Sequence, residues 1–392
     1  MRLGDHCSKI GSGSTPRGGE SVYQQDGVSF IRSQNVYNGR FAEQGLAHLD
    51  EEQADHLKGV TVESGDVLLN ITGDSVARCC RVPDEVLPAR VNQHVAIIRP
   101  KPGEFDSRFI GYFFISPFMQ DTMLSLAGGG GTRKALTKEM IERFEVPRPP
   151  RPVQEAVADT LSAYDDLIEN NRRRMKLLED TARQLYREWF VRLRFPGHEH
   201  TRVTNGVPEG WERKTLGELA GITMGQSPES KHYNEDGEGL PFHQGVTDFG
   251  DRFVTHRIYS TALNRLAEPG DILCSVRAPV GRLNVTLDKI VIGRGLAALR
   301  SKSGQQSFLF QQLRTHFFKE DLIGGGTIFA SVTKKEFAAQ ELPDPPQRLK
   351  RVFEELSVPF DEQTRLLHLQ NDKLRAARDL LLPRLMNGEI AA

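Results

Sequence analysis

Four glycines followed by a hydroxyl and two cations stand in the stretch LAGGGGTRKALTKEMIERFEVPRPP, from Leu126 to Pro150. These are the residue types that cradle a phosphate. That chemistry needs backbone N–H groups pointing inward, then Gly-Lys-Ser/Thr opening a helix, so that lysine and hydroxyl reach phosphate and magnesium. Here the order is Thr132-Arg133-Lys134-Ala135, with the hydroxyl ahead of the lysine. The spacing is wrong for a nucleotide loop.

Other catalytic patterns fail in the same way. Asp344-Pro345-Pro346-Gln347 is similar to the Asp/Asn-Pro-Pro-aromatic signature that stacks a flipped adenine, but Gln347 holds the place of the aromatic ring. A related run, Arg148-Pro149-Pro150-Arg151, lacks the acid too, so both read as proline punctuation before a helix. Neither Pro83-Asp84 nor Pro343-Asp344 is followed closely by the Asp/Glu-x-Lys of a metal-dependent nuclease. The chain has no Gly-Lys-Ser/Thr, no G-x-S-x-G elbow and no H-E-x-x-H, and its histidines are scattered, so no catalytic residue and no metal centre is expected. A binding protein is the reading that remains.

The residue types that read base edges and hold phosphates gather in clusters. The first half offers Arg32, Ser33, Gln34 and Asn35, then Asn70, Thr72 and Arg78, then Asn92, Gln93 and His94. Thr132, Arg133 and Lys134 add a hydroxyl and two cations. The second half offers His243, Gln244, Ser275, Arg277, Arg282 and Arg294, with Thr327 after its own glycines. Taken singly, each reads first as a solvated surface residue or a strand cap; as clusters at similar places in both halves they read as contacts for DNA. Arg172-Arg173-Arg174 with Lys176, Arg183 and Arg187 form a basic run that is a solvated helix face or a contact for phosphates or an acidic partner.

The elements that position these clusters are written twice. The opening stretch returns as IGGGTIFASVTKKEFAAQELPDPP (Ile323 to Pro346), SGDVLLNITG (Ser64 to Gly73) returns as PGDILCSVRA, and IGSGSTP (Ile10 to Pro16) as ITMGQSP. The offset falls from 213 at Leu3/Leu216 to 205 at Asp66/Asp271 and 196 at Pro149/Pro345, then holds at 196. The glycine stretch, found twice ahead of double prolines and a helix, reads as the joint between a globular domain and a spacer.

Beyond the prolines, Val157, Tyr164, Asn171, Leu178 and Leu185 pair with Phe353, Phe360, Leu367, Leu374 and Leu381, seven apart in each copy. Heptads of this kind belong to long helices packed along a seam, where one inserted residue would turn the seam by about 100°. A first helix is expected from Val153 to Phe190, and a second from about Leu349 to Leu382, kinked at Pro359 and stopped at Pro383. An antiparallel pair would hold the two globular parts at opposite ends of a rod. Leu161, Ile168, Met175, Ala182 and Trp189 complete the first stripe. Ser357, Thr364, Asn371 and Arg378 stand at the matching places in the second, which therefore needs others such as Leu356 and Ala377. Asn171 either fixes register or turns outward.

Short strand-like runs (VSFIRSQNV, DVLLNITG, NQHVAIIRP) with one longer apolar helix (FIGYFFISPFMQDTMLSL) make each globular part an α+β domain. The expected boundaries are residues 1–150 for the first domain, 151–193 for the first helical spacer, 194–346 for a linker and the second domain, and 347–392 for the second spacer. With 392 residues, no apolar run of membrane-spanning length and no leader pattern, a soluble cytoplasmic protein is expected. Cys7, Cys79, Cys80 and Cys274 form no C-x-x-C pair and read as reduced, buried thiols, with Cys79 and Cys80 on opposite faces of a strand. The 51 basic and 52 acidic residues leave a net charge of -1, so any nucleic-acid contact must be local.

The glycine stretch with its second copy, LYREWFVRLRFPGHE (Leu185 to Glu199), VPEGWERKTLGEL (Val207 to Leu219) and LLPRLMNGEI (Leu381 to Ile390) give the whole chain a likeness. It resembles the specificity subunits of type I restriction-modification systems. The resemblance implies two target recognition domains alternating with two conserved helical regions as a pseudo-twofold tandem repeat. It further implies a non-catalytic chain that reads a bipartite double-stranded DNA site. Two modification subunits would methylate adenine N6 with S-adenosylmethionine, and restriction subunits would use ATP and Mg. No cofactor is expected on this chain itself and no membrane partner. A related system without a separate translocating subunit, and a coiled-coil scaffold that binds only proteins, are the other readings.

Overall fold

The structure is a computed structural model, and residues 1–128, 134–317 and 332–391 are described. The chain divides into two compact units, Met1–Asn171 with Leu369–Ala392, and Arg172–His368.

In the first unit, strands Cys7–Ser12, Val95–Pro100, Val67–Asn70 and Cys79–Arg81 form an antiparallel sheet in that order. A second sheet has the order Ala47–Leu49, Val28–Ile31, Ala89–Val91, Thr61–Val62, and its central pair runs parallel with Ile31 opposite Val91. Period-two alternation splits the first sheet between two cores. Val67, Leu69, Cys79, Ala96 and Ile98 share a core with Phe109, Ile110 and Phe113, and with Val157, Leu161, Leu382 and Leu385 of the long helices. Leu68, Cys80, Val95 and Ile97 pack with Ile31, Val62 and Val91 of the second sheet. Cys79 and Cys80 thus face opposite ways. All four cysteines are free and buried, and burial pushes the Cys80 thiol up to about 12.

The long apolar run is two helices, Ser107–Ile115 and Pro117–Gly128, rather than one. Pro117 drives Ser116 extended, at φ -63° and ψ 144°, and then opens the second helix from a position where its missing N–H costs nothing.

The second unit repeats this plan. Ala220–Met224, Leu296–Ser301, Ile272–Ser275 and Leu283–Val285 make the antiparallel sheet. Leu240–His243 and Ile290–Ile292 make the parallel pair at the heart of the other, with His243 opposite Ile292. The repeat seen in the sequence is therefore a repeat of topology. The expected linker, Arg194–Trp211, is mostly exposed but anchored at its two ends: it holds a short turn at His198–His200 and a small hairpin, and Phe195 and Trp211 join an aromatic cluster with Trp189, Phe190, Phe308 and Phe353.

A glycine at matching places in the two units is fixed by close approach. Gly13 donates to the Val95 carbonyl at 2.9 Å and Gly225 to that of Leu296 at 2.9 Å. An added Cβ would lie 2.0 Å from the Val91 oxygen or 2.1 Å from that of Gly293.

The first long helix runs Arg151–Tyr186 and continues through a wider turn, Arg187–Val191. The second runs unbroken from Gln347 to Met386, so Pro383 does not stop it and Pro359 does not divide it. An interior proline costs about 3 kcal/mol. Phe353 and Leu367 flank Pro359, Leu382 and Leu385 flank Pro383, and all four are buried, at about 1.5–3 kcal/mol each. Packing outweighs the lost hydrogen bonds.

In the first unit the helix segments are antiparallel, with Val157 and Leu161 sharing a core with Leu382 and Leu385, and Ile168 meeting Asn371. In the second unit the end of the first helix (Tyr186, Trp189, Phe190) packs on the start of the second (Phe353). The polar residues of the second stripe form the seam themselves: Ser357, Thr364 and Asn371 are buried, whereas Leu356 is 46% exposed and so does not complete the stripe. Their polar groups are satisfied at short range. The Thr364 hydroxyl donates to the Phe360 carbonyl at 2.8 Å, and the Asn171 amide donates to Asn371 Oδ1 at 2.9 Å. Asn171 is thus turned inward.

One aspartate on each helix, 196 residues apart, ties helix to domain. Asp165 accepts from the Tyr112 hydroxyl at 2.7 Å and from Arg378, and Asp361 accepts from the Ser307 hydroxyl at 2.5 Å and from Arg252 at 2.8 Å. Burial, then the Asp165 charge, raises the Tyr112 pKa and keeps that hydroxyl a donor.

Two outcomes follow in thermal unfolding. Gly225→Ala will lower stability by about 1–3 kcal/mol through overpacking. Asn371→Leu will cost about 1–3 kcal/mol by leaving the Asn171 amide short of a partner, and Asn171→Leu in the same chain will recover part of it. Unchanged melting in both single variants would contradict these accounts.

Candidate nucleic-acid interface

Parallel strands leave a sheet on the same side, so the segments after Ile31 and Val91 emerge together. The Asn92 N–H donates to the Ile31 carbonyl at 2.9 Å, and the Ile71 N–H to that of His94 at 2.9 Å. The Leu136 N–H then donates to the Ile71 carbonyl at 2.8 Å, and that of Gly73 to the Lys134 carbonyl at 3.1 Å. Four segments, 32–35, 70–78, 92–94 and 134–136, are thereby gathered at one edge. The second unit repeats the bonds: Gly293 to His243 at 2.8 Å, Val276 to Gly295 at 2.9 Å, and Val332 to Val276 at 2.9 Å. By these matches Thr72 corresponds to Arg277, Gln93 to Arg294, and Arg32 to Gln244.

The described flank of the first glycine stretch therefore pairs with the loop at Ile71–Gly73, while the long helix begins only at Arg151. Residues 134–136 thus adjoin the polar loops, Pro150 leads directly into the long helix, and residues 129–131 lie outside the described residues. Thr132 and Arg133 in the first copy, and Thr327 in the second, lie outside the described residues; Lys134 is described and exposed.

Five of the expected site residues are buried and build the loops. Asn35 donates to the Ala42 carbonyl at 2.8 Å and accepts from the Arg32 N–H at 3.0 Å. Asn70 donates to the Ser33 carbonyl at 2.9 Å, and Asn92 accepts from the His94 N–H at 3.1 Å. Ser275 donates to the Pro279 carbonyl at 2.5 Å and accepts from the Arg282 N–H at 2.9 Å. His243 is fully buried, 3.0 Å from His256, and burial first, then His256, hold it down to about 4, so it is neutral at neutral pH. As surface contacts for DNA these five are corrected by their burial, although Asn70 Oδ1 and His243 Nδ1 find no hydrogen-bond partner among the described residues.

The others reach the surface. Gln34, Gln93, Lys134, Gln244, Arg277, Arg282 and Arg294 are exposed, and Arg32, Ser33, Thr72 and Arg78 half-buried. Arg32 is tethered: it donates to the Gly45 carbonyl at 2.8 Å and lies 5.1 Å from the Tyr23 ring. Arg78 and Arg40 lie 4.9 and 5.1 Å from the Tyr37 ring. Tyr37 and Arg40 were missed in the sequence, although an aromatic interleaved with arginines is a recognisable signal for stacked cations. Ser227 was missed as well; its hydroxyl donates to Gln244 Oε1 at 2.8 Å. In the basic run, Arg173, Arg174, Lys176, Arg183 and Arg187 are exposed on the first long helix and Arg172 is half-buried. Among the described residues, no three His, Cys, Asp or Glu side chains gather as metal ligands, and no helix is long and apolar enough to cross a membrane.

The family model described as the type I restriction modification DNA specificity domain matches residues 1–180 and 208–374. The chain is 27% identical over 302 residues to a putative type I restriction enzyme specificity subunit of Methanocaldococcus jannaschii, covering 76% of this chain and 71% of that one. A second specificity subunit from that organism is 24% identical over 400 residues, covering 97% of this chain and 91% of the relative. The crystal structure of a type I restriction-modification S subunit from M. genitalium shares the fold, with a TM-score of 0.57 at 15% identity over 98% of this chain and 95% of that one. The chain belongs to this family, as a specificity subunit of a type I restriction-modification system.

Stability separates the two groups of loop residues. Asn70→Ala will cost about 1–3 kcal/mol by stranding the Ser33 carbonyl, while Gln34→Ala and Gln244→Ala will stay within about 0.5 kcal/mol. Denaturant unfolding checks the ranking, and equal losses at all three would contradict it.

Proposed function

We propose that each unit reads one half of a bipartite, asymmetric site in double-stranded DNA through its edge of gathered loops. The observation that carries this reading is that one loop scaffold is built twice and dressed differently. The first presents Gln34, Thr72, Arg78, Gln93 and Lys134, and the second Gln244, Arg277, Arg282 and Arg294. Arginine pairs bidentately with guanine O6 and N7, and glutamine with adenine N6 and N7. The half-sites therefore differ, and guanine is favoured in the second.

Catalysis lies outside this chain in the same proposal. Two modification subunits methylate adenine N6 with S-adenosylmethionine, and restriction subunits use ATP and Mg to translocate and cut; the chain itself carries no cofactor and works in the cytoplasm. The paired helices set the gap between half-sites and help dock the modification subunits. The absence of a recognisable catalytic motif in the sequence and membership of the specificity family support this division of labour.

The test is methylation mapping with the chain and its modification subunit in one cell. A single motif of two unlike halves with a fixed gap is expected, and methylation without sequence preference would overturn the reading in favour of a protein-only scaffold. Arg277→Ala and Arg294→Ala should each relax one position of the second half by about 1–3 kcal/mol and leave the first half unchanged. One extra heptad in each long helix, about 10 Å, should widen the gap by roughly three base pairs. An unchanged gap would refute the spacer role.

A further inference from the structure

We propose that Gln93 and His94 are positioning residues that make the Thr72 hydroxyl a hydrogen-bond donor to a base edge in the first half-site. This rests on the DNA reading above and assigns a chemistry to one of its positions.

His94 stands between two side chains, with Nδ1 2.7 Å from Thr72 Oγ1 and Nε2 3.3 Å from Gln93 Nε2. With the Gln93 amide placed nitrogen-first, that nitrogen donates and the assigned tautomer has Nε2 of the ring accepting. A neutral imidazole with Nε2 as acceptor carries its proton on Nδ1. That N–H donates to Thr72 Oγ1, and the hydroxyl's own proton is left to point elsewhere. The backbone holds His94 and Thr72 in place, through the Ile71 N–H on the His94 carbonyl at 2.9 Å and a bridge between Thr72 and Ala135. Thr72 is half-buried between exposed Gln93 and Lys134. The acceptors at hand on a major-groove edge are purine N7, guanine O6 and thymine O4; cytosine N4 and adenine N6 offer donors instead. The second unit has Arg277, Arg294 and Gly295 at the matching places, so this relay belongs to the first half-site alone.

The polarity can be inverted without touching Thr72. In Gln93→Glu a carboxylate, which only accepts, draws the proton to Nε2. Nδ1 then accepts from the Thr72 hydroxyl, and a lone pair of Oγ1 faces outward. With the modification subunit present, methylation mapping should show one first-half position changing from an acceptor-bearing to a donor-bearing base by about tenfold or more, with the second half unchanged. Imidazole nitrogen shifts of histidine-labelled protein should show the Nδ1–H tautomer in the natural chain and Nε2–H in the variant. Thr72→Ser should keep the motif and Thr72→Val should relax that same position. Adding Thr72→Val to Gln93→Glu should abolish the new preference.

A Gln93→Glu chain with the original motif, or with methylation lowered evenly at every site, overturns the proposal. So does a new preference that survives Thr72→Val, since Gln93 would then read the base itself. If Thr72→Val weakens binding evenly without changing the motif, the hydroxyl meets a phosphate and the base assignment fails. If all these variants and the arginine variants of the second unit leave methylation untouched, the DNA reading fails with it.

Discussion

One parallel pair of strands in each unit determines where everything else can go. In sheets otherwise antiparallel, Val28–Ile31 and Ala89–Val91, and likewise Leu240–His243 and Ile290–Ile292, point the same way. Their C-terminal ends emerge side by side, and the second strand of each pair passes straight into the neighbouring sheet through three residues, 92–94 or 293–295. The crossing is so tight that only glycine fits against it, at Gly13 and Gly225. Loop sequence can then vary over a fixed scaffold. The strands hold the backbone exits in place, and buried polar side chains such as Asn70 and Ser275 close the loops from within.

The long helices solve a different problem, that of keeping register over many turns with a seam that is half polar. A wholly apolar seam would be insensitive to slips of one heptad. Asn171 against Asn371, with the Asn371 amide reaching the Ile168 carbonyl, bonds well in one register only. The aspartates Asp165 and Asp361 add a second constraint, since each binds a side chain of its own globular domain. A helix that slid would lose both its seam and its domain contact. This explains why the offset between copies is constant over the helices and drifts over the loops: insertions are tolerated where backbone runs over the surface and not where a periodic face must meet another.

The sequence made the repeat, the α+β class, the helix lengths and the opposed faces of Cys79 and Cys80 legible, because each follows from periodicity or self-similarity, which are local. What it hid depends on tertiary context. Pro383 reads as a helix stop on propensity alone, whereas the helix runs on to Met386 with Leu382 and Leu385 buried on either side of it. Ser357 and Thr364 read as unfit for a seam because residue type says nothing about a hydroxyl bonded back to its own helix. The loop clusters singled out by residue type mix two kinds of side chain. The residue types that read bases are also those that cap strands, so Asn35, Asn70, Asn92, His243 and Ser275 were swept in with the exposed residues. Burial alone separates them.

The near-neutral charge then becomes intelligible. Affinity for DNA irrespective of sequence comes mainly from cations that displace counterions from phosphates. A chain with a net charge of -1 has little of that affinity to offer, and many of its arginines are held by carboxylates, as Arg99 is by Asp66 and Arg252 by Asp361. On the proposed reading, such a chain contributes discrimination and leaves much of the phosphate grip to its partners. Discrimination is a difference between base edges, set by a few oriented groups worth about 1–3 kcal/mol each. A uniform basic surface would add equally to right and wrong sites and leave that difference unchanged. Selectivity is better served by fixing the orientation of side chains such as Gln244, held by Ser227, and Arg78, stacked on Tyr37, than by adding charge.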